Sequence, residues 1–174
     1  SLVSYSELRN QPAPLVTAVE AAERQAAGTA WAAPMAALRI LVTLGALAGP
    51  QNAVKVCVVM IGTNNSNGSD NTAEEIGAGI AAVVRRLRTG LPQAKVLLLD
   101  VFPRGEKPNP QRQKNAKASD LAAAAFAGDA MVRRLDLAPQ FLQADGTLSK
   151  ETMPDLLHLA PAAYRTWAEA MAPV

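Results

Sequence analysis

The sequence predicts an α/β domain in which a parallel sheet is covered by helices on both faces. Three observations carry this. The 174 residues, 18.2 kDa, suit one compact core, and two domains of half that size would each bury too little. From residue 54 onward, strand-like and helix-like segments alternate three times. The first two strand-like runs are continuously apolar, as strands covered on both sides are. This order implies parallel strands joined by right-handed crossovers, with functional side chains in the loops beyond the strands' carboxyl ends.

Each element has its own signal. The run from Val54 to Ile61 (VKVCVVMI) reads as a buried strand, and the polar stretch Gly62 to Asn71 (GTNNSNGSDN) as the loop that ends it. Thr72 and Glu75 have capping-box spacing. They open a helix whose buried stripe is Ile76, Ile80, Val83, Val84 and Leu87, reaching about Thr89 before Gly90 and Pro92 stop it. Lys95 to Val101 (KVLLLDV) is a second buried strand. Phe102 to Pro110 (FPRGEKPNP) is a loop stiffened by three prolines, followed by a helix from about Gln111 to Ala127. Met131 to Leu137 is a shorter strand, Asp145-Gly146 marks a turn within Phe141 to Ser149, and Pro161 starts a last helix through Tyr164, Trp167 and Met171. Residues 1–53 read differently. They hold 14 of the 35 alanines, two helix-like stretches (Pro14 to Ala27 and Pro34 to Leu47) and no strong strand.

Composition removes several function classes. With 49% hydrophobic and 18% charged residues and a net charge of +2, the chain is neither disordered nor a polycation. No apolar run reaches the ~18–20 residues of a bilayer span, and no charged-then-apolar leader opens the chain. A single cysteine, Cys57, excludes an internal disulfide, and a single histidine, His158, excludes His-pair zinc motifs. No G-x-G-x-x-G follows a strand, so a dinucleotide site is disfavoured. The basic set Arg104, Lys107, Arg112, Lys114 and Lys117 is interleaved with Asp100, Glu106 and Asp120 and lacks aromatic platforms. It reads as a solvated face and not as a nucleic-acid surface.

Two constellations remain. Asp155-Leu-Leu-His158 lies in a loop between Pro154 and Pro161, spaced so that one turn brings carboxylate and imidazole together. Such a pair suits general base catalysis, though a capping Asp and a surface His fit the same spacing. Gly62-Thr63-Asn64-Asn65 follows the first buried strand, where a side-chain amide can donate to a developing oxyanion and where Gly and Asn also serve as plain turn residues.

Taken together, VVMIGTNN (58–65), NTAEEIGAGIAAVV (71–84), FPRGEKPNPQRQKNAK (102–117) and DGTLSKETMPDLLHLAPAAYRTWAEAM (145–171) resemble the SGNH (GDSL-type) hydrolases. They resemble in particular the catalytic α-subunits of intracellular platelet-activating-factor acetylhydrolase and their bacterial relatives. The resemblance covers residues 54–174, about 70% of the chain. It implies a three-layer α/β/α sandwich with a parallel sheet, flavodoxin-like, across a single domain of residues 1–174 in which 1–53 fit the family poorly. It also implies a serine esterase or acetylhydrolase that cleaves small acyl, above all acetyl, esters and needs no metal or cofactor. Asn64 then stands where the family has an oxyanion-hole asparagine, and Asp155 and His158 where it has its acid and base.

The chain departs from the family in having no Gly-Asp-Ser, the block that carries the nucleophile after the first strand. Ser1-Leu-Val is how some relatives continue after Gly-Asp. Ser1 is therefore the expected nucleophile, with its strand lying upstream of the sequence, and Ser4 and Ser6 are the nearby alternatives. The missing block leaves open a catalytically inactive binding or assembly module. An acetylated-carbohydrate esterase and a thioesterase also stay open, because acyl and leaving-group pockets in such folds come largely from loops that the sequence does not place. The resemblance further implies a homodimer, and with the unpaired Cys57 it favours the cytoplasm.

Overall fold

The computed structural model describes residues 54–69 and 71–172. Ser1, Ser4, Ser6 and the two helix-like stretches before residue 54 lie outside these residues. By internal packing the chain divides into two units, one of Val56–Val84 with Lys95–Val174, the other of Ser1–Lys55 with Arg85–Ala94.

The first of these units holds a three-stranded parallel sheet in the order β1 (Val56–Val59), β2 (Lys95–Leu99), β3 (Val132–Leu135). Val56 stands opposite Lys95, and Val96 opposite Val132. The strands are shorter than their apolar runs because the ladder ends where the chain bends into loops at Met60, Asp100 and Asp136. β2, the middle strand of the three, has four consecutive buried residues, as a strand covered on both faces should. β1 departs from expectation: Cys57 and Val59 are buried, but Val56 and Val58 are 54% and 49% exposed. Its continuous β-branched run marks strand propensity, and the alternation in burial is set by what packs on each face.

Helices flank the sheet. Helix α1 (Ala73–Gly90) begins with the expected capping box: the Thr72 amide donates to Glu75 Oε2 at 2.7 Å, and the Glu75 amide to Thr72 Oγ1 at 3.2 Å. Helix α2 (Pro110–Ala124) starts with Pro110 at its first turn and Asn109 as cap, whose Oδ1 accepts from the Arg112 amide at 3.0 Å. It lies over the Leu98 side of the sheet, where Ala123 and Ala124 share a depression with that leucine. A short helix α3 (Ala138–Phe141) precedes the turn at Asp145-Gly146, closed by the Gly146 amide on Gln143 O.

Helix α4 (Pro161–Met171) packs on the opposite side. Its Ala163 and Trp167 join Leu97, Leu99, Phe102, Leu137, Phe141, Leu148 and Met153 in one apolar cluster. The Phe102 ring meets Phe141 and Trp167 edge-on, at 5.0 and 5.1 Å. No helix among the described residues is long and apolar enough to cross a membrane.

Two features lock these layers. Arg134 on β3 forms a two-pronged pair with the buried Asp100 at the end of β2 (2.7 and 2.5 Å) and reaches Asp120 on α2 at 2.6 Å. Gly77 lets α1 approach α2: a Cβ there would lie 2.9 Å from both Ala118 O and Leu121 Cβ.

Two predictions follow from this packing. Gly77→Ala should lower stability by about 1–2 kcal/mol despite alanine's better helix propensity, because overpacking outweighs it. The exposed Gly79→Ala should raise stability by about 0.5–1 kcal/mol, and the two urea midpoints should therefore move in opposite directions. Arg134→Met should cost about 1.5–3 kcal/mol in the same titration, because it strands the buried Asp100 carboxylate without its cation. A midpoint within error of wild type would refute that role.

Candidate active site

The site is built at the carboxyl ends of β1 and β2, where three loops meet. The first loop leaves β1 through Gly62. This residue has φ +111°, and a Cβ on it would press on Ile76 and Ile80 of α1 at 3.1 and 3.3 Å. Only glycine meets both demands without strain. The chain then makes a single 3₁₀ turn, Asn64–Ser66, with the Asn65 amide on Gly62 O and the Asn67 amide on Asn64 O. Ser66 is buried, and its hydroxyl donates to Thr63 O at 2.7 Å. Asn64 itself is exposed. An outward-facing carboxamide anchored by a turn of this kind is a ready N–H donor.

The second loop carries Asp155 and His158. Asp155 Oδ1 accepts the main-chain amides of Leu157 (3.0 Å) and His158 (2.7 Å), and its Oδ2 lies 2.6 Å from His158 Nδ1. One carboxylate thus shapes the turn and aims the ring. The turn is completed by Leu156 at φ +59°, left-handed backbone that a leucine adopts only when its surroundings enforce it. Its amide donates to Met153 O, and its carbonyl accepts from the Gly105 amide. The bonds from His158 hold the Asp155 carboxyl at about 2, well below its ordinary value of 3.8. An ionised carboxylate only accepts, so Nδ1 carries a ring proton, and in the neutral ring Nε2 holds the lone pair. The His158 side chain is 76% exposed, and this Nε2 can take a proton from a hydroxyl brought alongside it.

The third loop, 102–109, ties the other two together. Arg104 Nη1 donates to Thr63 O at 3.2 Å and to Asn67 Oδ1 at 3.0 Å, flanking the turn that bears Asn64. The next residue, Gly105, gives its amide to Leu156 O at 2.9 Å. Arg112, on the first turn of α2, donates to the carbonyls of Arg104 (2.9 Å), Gly146 (2.7 Å), Glu106 (3.1 Å) and Gly105. Burial lowers its pKa. Lys114 Nζ reaches the carbonyls of Ser66, Gly68 and Asn71, and Gln111 donates to Ser66 Oγ and Asn67 Oδ1.

These bonds correct the reading of the basic set as a solvated face. Arg104, Arg112 and Lys114 point at loop carbonyls. Lys107 is exposed and Lys117 pairs with Glu74 at 2.5 Å on the surface, so for these two the solvated-face reading holds. Spacing along the chain could not reveal the clamps, because all but one of the acceptors of Arg104, Arg112 and Lys114 are main-chain oxygens, several of them 34–48 residues away.

Asp155 and His158 are therefore brought together, and Asn64 is displayed on a separate loop that is joined to theirs through Arg104 and Gly105 of the 102–109 loop. Ser1 lies outside the described residues. Ser66 and Ser119 are buried and bonded elsewhere, Ser119 to Asn115 O and the Val101 amide. Cys57 is buried, and burial raises its thiol pKa, the reverse of what a thiolate nucleophile needs.

Comparison with known proteins places this arrangement among relatives. The chain is 51% identical over 110 residues to the platelet-activating factor acetylhydrolase IB subunit alpha2 of Gallus gallus, covering 63% of this chain and 47% of that protein. It is 42% identical over 117 residues to the alpha1 subunit of Pongo abelii, covering 67% and 49%. The matched segment thus spans about half the length of these curated relatives. Among solved structures, a carbohydrate acetylesterase from Sinorhizobium meliloti superposes with a TM-score of 0.58 at 20% identity, over 79% of this chain and 65% of that one. A GDSL-like lipase from Bacteroides thetaiotaomicron superposes with 0.58 at 16% identity, over 81% and 69%. Both likenesses support the three-layer α/β/α fold with a parallel sheet. Residues 7–166 match the GDSL-like lipase/acylhydrolase family, a span that includes most of the stretch before residue 54, where motifs alone are silent, and the chain belongs to that family.

Proposed function

We propose that this protein is a serine esterase acting on small acyl esters, acetyl esters above all, through a Ser-His-Asp triad carried on one domain of residues 1–174. The observation that carries this reading is the 2.6 Å bond between Asp155 Oδ2 and His158 Nδ1, made within a turn that the same carboxylate builds. Family membership and the acetylhydrolase names of its relatives support the acyl-ester class.

In this mechanism a serine hydroxyl attacks the ester carbonyl while His158 Nε2 takes its proton. Asp155 holds the tautomer and stabilises the imidazolium. The carbonyl oxygen becomes an oxyanion, and the Asn64 amide donates to it. The imidazolium then returns its proton to the departing alkoxide. Water, activated by the same imidazole, hydrolyses the acyl-enzyme and restores the serine. We assign the serine to Ser1, because the family's order puts the nucleophile ahead of the Asn64 loop. The relatives' description as subunits supports an assembly of more than one chain; for a homodimer, sedimentation at micromolar concentration should give a species near twice 18.2 kDa.

A fluorophosphonate probe should label one serine, and peptide mapping should find it at Ser1. His158→Ala should reduce hydrolysis of p-nitrophenyl acetate by at least about 10³, and Asn64→Ala by about 10²–10³. Full activity in His158→Ala would end the esterase reading. A folded protein that takes no label would point to an inactive binding module. A panel of acetylated sugars and thioesters tests the remaining substrate classes.

The Asp155 carboxyl gives a second check. Its folded value is held down, so any stability it contributes is fully present above the ordinary carboxyl value of 3.8 and is lost as pH falls through about 2. The carbon signal of this carboxyl in NMR should titrate near pH 2 and move towards 3.8 in His158→Ala. A midpoint near 3.8 in the wild type would show that the bond to His158 is absent in solution.

A further inference from the structure

We propose that Arg104 is a positioning residue for the Asn64 amide; this deepens the esterase reading and rests on it. The turn Asn64–Ser66 is held from both flanks by one guanidinium nitrogen. Arg104 Nη1 donates to Thr63 O just before the turn and to Asn67 Oδ1 just after it. The turn's own bonds are few: three amide-to-carbonyl bonds of 3.0, 3.3 and 3.2 Å and the Ser66 hydroxyl on Thr63 O at 2.7 Å. Gln111 and Lys114 brace its Ser66–Asn67 end, and among the described residues Arg104 alone reaches both flanks from outside.

The Arg104 main chain is itself immobilised. Its carbonyl accepts from Arg112 Nε and Asn109 Nδ2, and the following amide, Gly105, is bonded to Leu156 O inside the Asp155–His158 turn. Arg104-Gly105 is thus a two-residue strut. Its side chain holds the loop that presents the oxyanion donor, and its backbone holds the loop that presents the acid and base. An oxyanion donor must meet charge that exists only in the transition state, and misplacement by about 1 Å can cost up to about 10²-fold. Arg104 touches no reacting atom in this arrangement and acts through Asn64.

The test is a double-mutant cycle on the full chain with p-nitrophenyl acetate, using Arg104→Met, Asn64→Ala and the pair, with a thermal melt of each. In the wild-type background Arg104→Met should lower kcat by about ten- to a hundredfold, with KM within about twofold, because only the transition state uses the donor. In the Asn64→Ala background the same substitution should cost less than about threefold, since the turn no longer presents an amide. Arg104→Lys keeps a single nitrogen that can donate to both acceptors, but on a shorter arm. It should fall between wild type and Arg104→Met with the same background dependence, and it replaces Arg104→Met if that variant does not melt cooperatively.

If Asn64→Ala is impaired but Arg104→Met is not, or if Arg104→Met costs the same factor in both backgrounds, the inference is overturned and the esterase reading stands. If Asn64→Ala turns over at the wild-type rate, Asn64 is no oxyanion donor and the inference is overturned, while the esterase reading, carried by Asp155 and His158, stands. If neither Arg104 variant melts cooperatively, the residue serves folding alone and the inference is overturned.

Discussion

Arg112 donates from three nitrogens to four main-chain carbonyls, those of Arg104, Gly105, Glu106 and Gly146, and the arrangement of loops around the candidate site depends on that fan of bonds. The segment 102–109 has no ladder or helix of its own to satisfy its carbonyls, and burying them unpaired would be costly. A planar guanidinium with five donors in a fixed fork meets this need, whereas a lysine ammonium cannot span four acceptors. With its backbone held, the segment can carry Arg104 towards the Asn64 turn and give the Gly105 amide to Leu156. It can also accept the Leu148 amide on Glu106 O.

Helix α2 anchors the frame. Asn109 and Pro110 start it, Gln111 and Lys114 project from its first turns onto the loop after β1, Arg112 onto the 102–109 segment and the Gly146 turn, and Ser119 reaches back to the Val101 amide at the end of β2. Its polar residues do structural work that its alanine-rich second half cannot. That half packs closely, as the Gly77–Ala118 approach to α1 and the burial of Ala118 and Ala122 require.

Asp155 concentrates two tasks in one side chain. One oxygen builds the turn through two amides, and the other fixes the ring of His158, so the geometry of the pair and the fold of the loop cannot vary independently. The left-handed Leu156 between them is held from both sides, by Met153 and Gly105, and its side chain rests on the apolar cluster under α4. The polar tip of the site is therefore exposed while its base is set in the core, a combination that leaves the imidazole accessible but oriented.

The sequence by itself determined the alternation of the three strands with the long helices (though not the short α3), the parallel character of the sheet, the Thr72/Glu75 cap, the turn at Asp145-Gly146 and the meeting of Asp155 with His158. All of these are encoded within a few residues, by periodicity, capping chemistry or a one-turn spacing. Only the tertiary structure decided that Val56 and Val58 face outward, since a β-branched run carries strand propensity on both faces and burial depends on what packs there. It also decided that Arg104, Arg112 and Lys114 serve as loop clamps. Their acceptors are carbonyls, which every residue possesses, so no side-chain pattern marks them, and chain segments tens of residues apart meet only once the sheet and α2 have brought their ends together.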